Sequence, residues 1–374
     1  MSTTSATTRT AGPGLGATLR QRLRSVADAA VTPLDLDDVL DHFHPLRRNT
    51  DLRGRIVEVR RETADAATVV IKPGRDWAGH RPGQYVQVGI DVDGTRRFRS
   101  YSLTHGPRRD GHISITVKAI AGGIVSPHLV HRARPGQLVH LQQAAGDFVL
   151  GDPHPPKLLL VTAGSGITPV IGMLRNLFSP AEAPSLDITL LHVNATEPDS
   201  IFKDELRRHA AADRIRLIEH FDDRDGLLDV ATLPTLVPDL AERTAYACGP
   251  AGLLDALEDY CAEHDLDLTT ERFRAATVLT DGEGGTVSFA AAGDEVAVDG
   301  TTPILDAAED AGVLMPSGCR MGICMGCVLP MTEGAVRDLR TGELTVAVPG
   351  ETGPGGVPVQ TCINTAAGDC HLDH

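Results

Sequence analysis

The chain has 374 residues, of which 41% are hydrophobic and 3% aromatic, and its formal net charge at neutral pH is −15. This length is sufficient for two or three globular domains. The negative charge argues against nucleic-acid binding, which needs a basic surface. The sequence contains no apolar run long enough for a transmembrane helix. Because it also shows no secretory signal pattern, we expect a cytoplasmic protein.

Residues 1–50 are predicted to form an N-terminal tail followed by two helices. The first 14 residues are small and polar, which is typical of disorder. Thr32-Pro33 places a proline at the tolerated first position of the second helix. Arginines in the first helix have two interpretations, contact with anionic lipid or an exposed face of a helix that packs on the next domain. These arginines are Arg20, Arg22 and Arg24.

From about residue 51 to residue 152 the pattern indicates an antiparallel β-barrel, because short alternating runs are separated by turn residues. Arg99-Ser100-Tyr101-Ser102, within this segment, suits a flavin. An arginine can bind a phosphate through two parallel hydrogen bonds, the tyrosine can pack on the flavin ring, and the Ser102 hydroxyl can bond the ring nitrogen that accepts hydride. An ordinary strand with a buried tyrosine is the alternative.

A glycine-rich turn, Gly122-Gly123-Ile124-Val125-Ser126, opens an apolar helix a few residues later. Such a turn presents free backbone N–H groups and the positive end of the helix dipole to a pyrophosphate. This second element strengthens the flavin interpretation.

Between residues 153 and 274, apolar strands alternate with helices, which predicts a parallel α/β sheet. The run from Thr162 to Pro169 follows a buried strand and opens a helix, the context in which a glycine-rich turn binds nucleotide phosphates over Gly164 to Gly166. Cys248-Gly249-Pro250 ends a later strand, at the sheet edge where ligands bind. We expect Cys248 to position a nicotinamide; an inert buried cysteine is the alternative.

Four cysteines predict a [2Fe–2S] cluster. Cys319, Cys324 and Cys327 are spaced C-x4-C-x2-C and Cys362 follows, which is the plant-type ligand pattern. Structural zinc usually needs two C-x2-C pairs, and this sequence has only one. Residues 275–374 contain 14 acidic and 3 basic residues. The acidic surface would either steer a basic redox partner or simply aid solubility.

Together these motifs resemble the ferredoxin–NADP reductase superfamily, specifically its three-module reductases. The resemblance covers residues 50–374 and implies a multidomain fold: a flavin-binding antiparallel β-barrel at 51–152, an NAD(P)-binding α/β parallel-sheet domain at 153–274 and an α+β β-grasp ferredoxin domain at 275–374. Residues 1–50 precede these domains. Thr270-Glu271-Arg272-Phe273 matches the place where the family's nucleotide domain ends near the flavin.

The resemblance also implies roles for individual residues. Ser102, Cys248 and Glu271 are expected to hold the nicotinamide against the flavin. The four cysteines are the expected cluster ligands. The expected cofactor-binding residues are Arg99, Ser100, Tyr101, Ser102, Val117, Gly123, Val125, Ser126, Thr162, Gly164, Ser165, Gly166, Thr168, Cys248, Gly249 and Pro250.

The implied cofactors are FAD, more than FMN, together with the [2Fe–2S] cluster and NADPH or NADH as donor. Residues 192–199 lack the arginines that often accompany NADPH in relatives, although Lys203, Arg207 and Arg208 follow on the next helix and can still reach a 2′-phosphate. The choice between the two donors therefore stays open at this point.

The implied function is electron transfer from NAD(P)H through FAD and the cluster to a partner oxygenase or desaturase. Thr32-Pro33-Leu34 and the segment around Pro316-Ser317-Gly318-Cys319 look most similar to actinobacterial reductases that feed a membrane acyl-CoA desaturase. The phenylacetyl-CoA epoxidase reductase subunit and phthalate dioxygenase reductase share the module order. Alternative acceptors are a Rieske dioxygenase, a P450 or another monooxygenase, and a redox sensor is a different class. Membrane contact is expected to be peripheral, through the acceptor.

Overall fold

The computed structural model describes residues 44–48, 51–92, 95–121, 123–178, 186–273, 284–290, 293–318, 320, 322, 325–349 and 355–374. The two helices predicted before residue 44 lie outside the described residues, as do Gly122 and two of the four cluster cysteines, Cys319 and Cys324. The described residues form three sheets, one for each predicted domain.

The first sheet is antiparallel and runs in the order β4-β3-β6-β1-β2-β5. Leu103, just after β4, bridges to Ile115 in β5, so the two ends of the sheet meet as the barrel prediction requires. The elements are β1 (Arg53–Arg61), β2 (Ala66–Pro73), β3 (Tyr85–Val92), β4 (Thr95–Ser102), β5 (Ile113–Lys118), α1 (Val125–His131) and β6 (Leu138–Leu141).

The second sheet is parallel, in the order β11-β10-β7-β8-β9. Apolar clusters cover both of its faces, which explains the continuous apolar run of the first strand, β7. Its strands are β7 (Lys157–Ala163), β8 (Asp187–Asn194), β9 (Arg216–Phe221), β10 (Thr244–Cys248) and β11 (Leu268–Glu271). Its α-helices are α2 (Ile167–Leu177), α3 (Lys203–Ala211), α4 (Asp222–Asp225), α5 (Leu233–Leu236) and α6 (Ala251–Glu263).

The third sheet is mixed, in the order β13-β12-β17-β14-β15, and β16 also pairs with β14. The β12–β17 pair is parallel, while the other pairs are antiparallel. Apolar residues of helix α7 join the core of this sheet, as in the expected β-grasp arrangement. The elements are β12 (Gly285–Phe289), β13 (Glu295–Val298), α7 (Ile304–Asp310), β14 (Val328–Asp338), β15 (Leu344–Ala347), β16 (Val357–Gln360) and β17 (Asn364–Leu372).

The barrel and the parallel sheet are packed together through α2. Phe148 and Leu150 of the barrel domain share an apolar cluster with Met173 of α2. A side chain at Gly172 would strike the carbonyl oxygen of Leu103, so glycine allows the close approach of helix and barrel. Arg175 then donates a hydrogen bond of 2.8 Å to the carbonyl of Thr104. This packing places the glycine-rich turn at the start of α2 beside the barrel.

The described helices include none that is both long and apolar enough to cross a lipid bilayer.

Candidate flavin, nucleotide and cluster sites

A cavity of about 330 Å³ lies where the three domains meet. Strand β4 forms one wall, β5 and the start of α1 form the second, and the glycine-rich turn of the parallel sheet closes one end. The lining residues are Arg99, Ser100, Tyr101, Ser102, Thr116, Val117, Lys118, Ile120, Gly123, Ile124, Val125, Ser126, Ser165, Thr168, Phe273, Asp306 and Arg320.

Three polar groups of β4 at this cavity have no hydrogen-bond partner among the described residues. They are the hydroxyls of Ser100, Tyr101 and Ser102, and all three oxygen atoms are buried. Burial also raises the pKa of Tyr101 well above its usual value. A buried polar group without a partner is costly, so this wall is suited to a ligand that carries both an apolar ring and hydrogen-bonding atoms. A flavin ring fits that description.

Arg99 contacts carboxylates of the third domain, which the sequence did not predict. Its Nη1 donates to the carbonyl of Phe98 at 2.8 Å and to Glu309 Oε2 at 3.2 Å. Its Nη2 lies 3.8 Å from Asp306 Oδ1. The side chain lines the cavity and also pairs with carboxylates of the third domain. Binding of a flavin phosphate by Arg99 stays a prediction.

The start of α1 contributes Gly123, Val125 and Ser126 to the cavity wall, opposite β4. The Ser126 hydroxyl accepts a hydrogen bond of 3.2 Å from the backbone N–H of Ile120, which holds the preceding turn against the helix. Val117 on β5 lies beside them, so these four predicted flavin contacts share one cavity.

The glycine-rich turn after β7 contains Gly164 with φ +53° and begins α2. Ser165 and Thr168 face the cavity, and the Thr168 hydroxyl donates to the Ser165 carbonyl at 2.9 Å. A side chain at Gly166 would collide with the carbonyl oxygen of Cys248, so glycine lets this turn lie directly against the end of β10.

Thr162 lies inside the sheet and outside the cavity wall. It is fully buried, and its hydroxyl lies 2.8 Å from His192 Nδ1 on the neighbouring strand β8. Its proposed contact with the nucleotide is therefore less direct than that of Ser165 or Thr168.

Cys248 and Glu271 lie at the ends of adjacent parallel strands, close behind the glycine-rich turn. Burial raises the pKa of the Cys248 thiol well above its usual value, and the nearby Glu271 carboxylate raises it further. Burial raises the pKa of Glu271 to about 8. Its Oε2 has no hydrogen-bond partner within the described chain. Both groups are therefore uncharged at neutral pH, and a thiol in this state is a poor nucleophile.

Two of the four predicted cluster ligands are described, Cys327 and Cys362, and the structure brings them together. Cys327 precedes β14 and Cys362 follows β16, and these strands pair in register at Val328 and Gln360. A hydrogen bond from Cys362 lowers the pKa of the Cys327 thiol to about 6, against a smaller opposing effect of burial. Converging cysteines with a stabilised thiolate fit a [2Fe–2S] cluster.

The remaining cysteines, Cys261 and Cys370, are buried in the cores of the second and third domains. Burial raises the pKa of both thiols, that of Cys370 to about 11. Neither has the properties of a ligand or a reactive thiol.

Comparison with known proteins identifies all three domains. Residues 55–150 match the oxidoreductase FAD-binding domain, residues 160–259 the oxidoreductase NAD-binding domain, and residues 290–363 the 2Fe-2S iron-sulfur cluster binding domain. An NADPH oxidoreductase of Mycobacterium tuberculosis is 44% identical over 94% of this chain and 92% of its own length. The chain belongs to the ferredoxin–NADP reductase superfamily.

Other relatives and solved structures also match most of this chain. The ferredoxin reductase component of 3-ketosteroid-9-alpha-monooxygenase from Mycolicibacterium smegmatis is 31% identical over 75% of the chain and 86% of its own length. The solved structure of phthalate dioxygenase reductase superposes with a TM-score of 0.61 at 22% identity, covering 86% of this chain and 97% of the other, which shows a common fold.

These findings confirm the family, the fold class and the cofactors expected from the sequence. The protein is an NAD(P)H-dependent flavin and iron–sulfur oxidoreductase that uses FAD and a [2Fe–2S] cluster. It is an electron-transfer reductase of the kind found in oxygenase systems.

Proposed function

We propose that this reductase takes electrons from NADPH and delivers them to a membrane fatty acyl desaturase. The main support for this electron path is the cavity where the three domains meet. There, hydroxyls of β4 without hydrogen-bond partners among the described residues face residues of both other domains. FAD bound there would supply the chemistry that matches a pyridine nucleotide, which donates two electrons as hydride, to a cluster that takes one electron at a time.

In this proposal the chain's own residues mainly position the two ring systems. Tyr101 packs on the flavin, and the Ser102 hydroxyl supplies a hydrogen bond to it. Cys248 and Glu271 lie beside the nicotinamide as uncharged groups, because burial keeps both protonated near neutral pH. The backbone N–H groups of the Gly164–Gly166 turn and the start of α2 bind the nucleotide phosphates, and Gly249 and Pro250 complete this edge.

The preference for NADPH is supported by cations just beyond β8. Lys203 Nζ lies 3.4 Å and Arg207 Nη2 lies 2.9 Å from Glu197 Oε1, and Arg207 also pairs with Glu219 at 2.9 Å. In a parallel sheet this carboxyl edge is where the nucleotide binds. We assign Lys203 and Arg207 to the 2′-phosphate. Arg208 lines a cavity with Arg60, Arg175 and Lys203, a cavity that Arg207 does not line. The name of the Mycobacterium tuberculosis relative supports the same donor.

The desaturase is favoured as acceptor by the sequence resemblance around Pro316–Cys319, in the segment that leads into the cluster loop. In this proposal the acceptor recruits the reductase to the membrane surface. The second candidate is the oxygenase component of a monooxygenase, which the names of other relatives support. A redox sensor is a third, less supported function.

Reconstitution tests these assignments. The FAD- and cluster-loaded chain is combined with membrane vesicles containing a fatty acyl desaturase, or with a Rieske-type oxygenase component, under NADPH or NADH. We expect desaturated product with NADPH at a rate well above that with NADH. Product only in the oxygenase assay would replace the proposed acceptor by the second candidate. If the loaded chain reduces cytochrome c only at a negligible rate, the reductase function itself is wrong.

A further inference from the structure

Six charged side chains join the third domain to the wall of the flavin cavity. On β4, Arg97 Nη1 donates to Asp310 Oδ1 at 2.7 Å, and Arg99 pairs with Glu309 at 3.2 Å. On the other side, Arg320 donates to Asp306 Oδ1 at 2.7 Å and also to Glu309. The ion-pair network consists of Arg97, Arg99, Asp306, Glu309, Asp310 and Arg320.

Glu309 is the central member of the ion-pair network. Its side chain is 5% exposed, and its two oxygens bond guanidinium groups from two different domains, Arg99 of the barrel and Arg320 of the cluster loop. A buried carboxylate is tolerated only when cations and hydrogen bonds compensate its lost hydration. Separation of the two domains would remove Arg99 from this carboxylate, so the charge of Glu309 favours the docked arrangement.

Arg320 connects the ion-pair network to both redox sites. It directly follows the predicted cluster ligand Cys319 in the sequence. Its side chain, 12% exposed, lines the flavin cavity together with Asp306 and Tyr101. The ion-pair network that docks α7 on β4 therefore also holds Arg320 at the edge of the cavity.

We propose that the ion-pair network holds the 2Fe–2S domain against the flavin cavity and thereby sets the rate of electron transfer from flavin to cluster. This inference rests on the proposed function, because it requires an electron path from the cavity to the cluster. Electron transfer between cofactors slows steeply as their separation grows, so a loosened domain slows this step and leaves earlier steps intact. Arg97, Glu309, Asp310 and Arg320 are positioning residues in this arrangement.

The test uses the full FAD- and cluster-loaded chain with substitutions outside the flavin-binding set. Asp310→Arg places a second cation against Arg97, and Asp310 is 67% exposed, so the fold of α7 tolerates the change. Glu309→Gln removes the central charge with little change in size. Glu295→Gln, on the exposed edge strand β13, is the matched control for charge loss in the same domain. The double variant Arg97→Glu/Asp310→Arg restores the pair with reversed polarity.

Two measurements are made on each protein. Stopped-flow absorbance follows flavin reduction by NADPH and then cluster reduction, and hydrogen exchange follows residues 95–102 and 304–310. We expect Asp310→Arg and Glu309→Gln to slow cluster reduction at least about tenfold, equivalent to about 1.4 kcal/mol, and to increase exchange in both segments. Flavin reduction by NADPH and turnover with ferricyanide, which accepts electrons directly from the flavin, stay at the wild-type level. The control changes neither readout, and the double variant recovers both.

The inference is overturned if Asp310→Arg leaves cluster reduction and exchange at wild-type values, or if the double variant is as impaired as the single one. Failure of the proposed function has a different signature, because NADPH would then fail to reduce the cluster of the wild-type chain.

Discussion

Cys248 and Glu271 are register partners on the adjacent parallel strands β10 and β11, and both side chains are buried. Each strand ends at this pair, so the thiol and the carboxyl lie at the same edge of the sheet. Burial disfavours the charged form of both groups, and ionisation of Glu271 further disfavours that of Cys248. The pair therefore stays uncharged at neutral pH, which suits groups that contact a nicotinamide ring by hydrogen bonds and packing.

The raised pKa of Glu271 predicts a pH-dependent cost to stability. The unfolded carboxyl ionises near pH 4.5, whereas the folded one keeps its proton up to about pH 8. The folded state binds more protons in that window, so the free energy of unfolding falls as the pH rises through it. Glu271→Gln removes this titration. We expect the variant to gain stability relative to wild type between these pH values, by roughly 3–5 kcal/mol in total.

Thermal unfolding of the nucleotide domain at several pH values measures this difference. Glu263→Gln, at the exposed end of α6, is the control and should give a curve parallel to wild type. A Glu271→Gln curve that also runs parallel to wild type would show that Glu271 titrates normally.

Tyr101 is expected to retain FAD mainly through its ring. Tyr101→Ala removes an apolar surface from the cavity wall and should weaken FAD binding by at least about tenfold, since loss of a buried aromatic side chain costs several kcal/mol. Tyr101→Phe keeps the ring and should retain most of the FAD. The flavin content after purification, read from visible absorbance, measures both. Tyr260→Ala is the control, because Tyr260 lies in α6 and its ring stacks on His264, just after that helix. Full flavin content in Tyr101→Ala would remove Tyr101 from the site.

The fold was predictable because each domain has a local signature. The apolar run of β7 followed by Gly164–Gly166 indicates a strand, a turn and a helix in one short segment, and Cys248-Gly249-Pro250 indicates the end of a parallel strand. Even the contact between these two segments follows from parallel-sheet geometry, because carboxyl ends of neighbouring strands meet at one edge.

The contact between domains was not predictable in the same way. Arg99 and Glu309 are more than 200 residues apart in sequence, and nothing periodic links them. The only sequence features related to this contact are the acidic residues at the end of α7 and the arginines of β4. Opposite charge alone does not distinguish two surfaces in contact from two surfaces exposed to solvent. Arg320 was missed for this reason, although its place beside Cys319 is visible in the sequence.

Loss of one cluster ligand should stop electron transfer beyond the flavin and leave reduction of the flavin by NADPH intact. Cys362→Ser or Cys324→Ser removes a thiolate that the cluster needs, so we expect loss of iron and of the cluster absorbance. Reduction of cytochrome c then falls to background, while flavin reduction by NADPH continues. Cys370→Ala, at a buried cysteine of the same domain, is the control and should keep the cluster. A folded Cys362→Ser protein that also lost flavin reduction would contradict a linear path.

The side chains of Arg207 and Arg208 have different surroundings although both residues lie on α3. Replacing each in turn therefore tests which of them favours NADPH over NADH. Arg207 pairs with Glu197 beyond β8, whereas Arg208 lines a cavity with Arg60. Arg207→Ala should raise the KM for NADPH about tenfold, equivalent to about 1.4 kcal/mol for a lost phosphate contact, and leave the KM for NADH unchanged. Arg208→Ala should change neither value. Equal effects of Arg207→Ala on the two donors would place the 2′-phosphate elsewhere.

Replacement of glycine by alanine should have opposite effects at Gly166 and Gly252, because the added methyl group is crowded at the first position and unobstructed at the second. A methyl group at Gly166 would overlap the carbonyl of Cys248, and because the nearest atoms are all backbone atoms of Cys248 and Gly249, no side-chain movement can relieve the overlap. Gly166→Ala must therefore push the glycine-rich turn away from β10, which separates the phosphate-binding N–H groups from the Cys248–Glu271 pair. We expect NADPH to reduce the bound flavin at least about tenfold more slowly, since a displacement near 1 Å is enough for such losses.

At Gly252, in the first turn of α6, the added methyl has no neighbour within 4 Å among the described residues. Alanine favours helix over glycine by about 1 kcal/mol in a helix interior, so Gly252→Ala should keep full activity and unfold at the same or a slightly higher temperature. Single-turnover flavin reduction and thermal unfolding of both variants measure the contrast. Wild-type flavin reduction in Gly166→Ala would mean that the contact between the turn and β10 does not control nucleotide placement, and that the nicotinamide reaches the flavin by another arrangement.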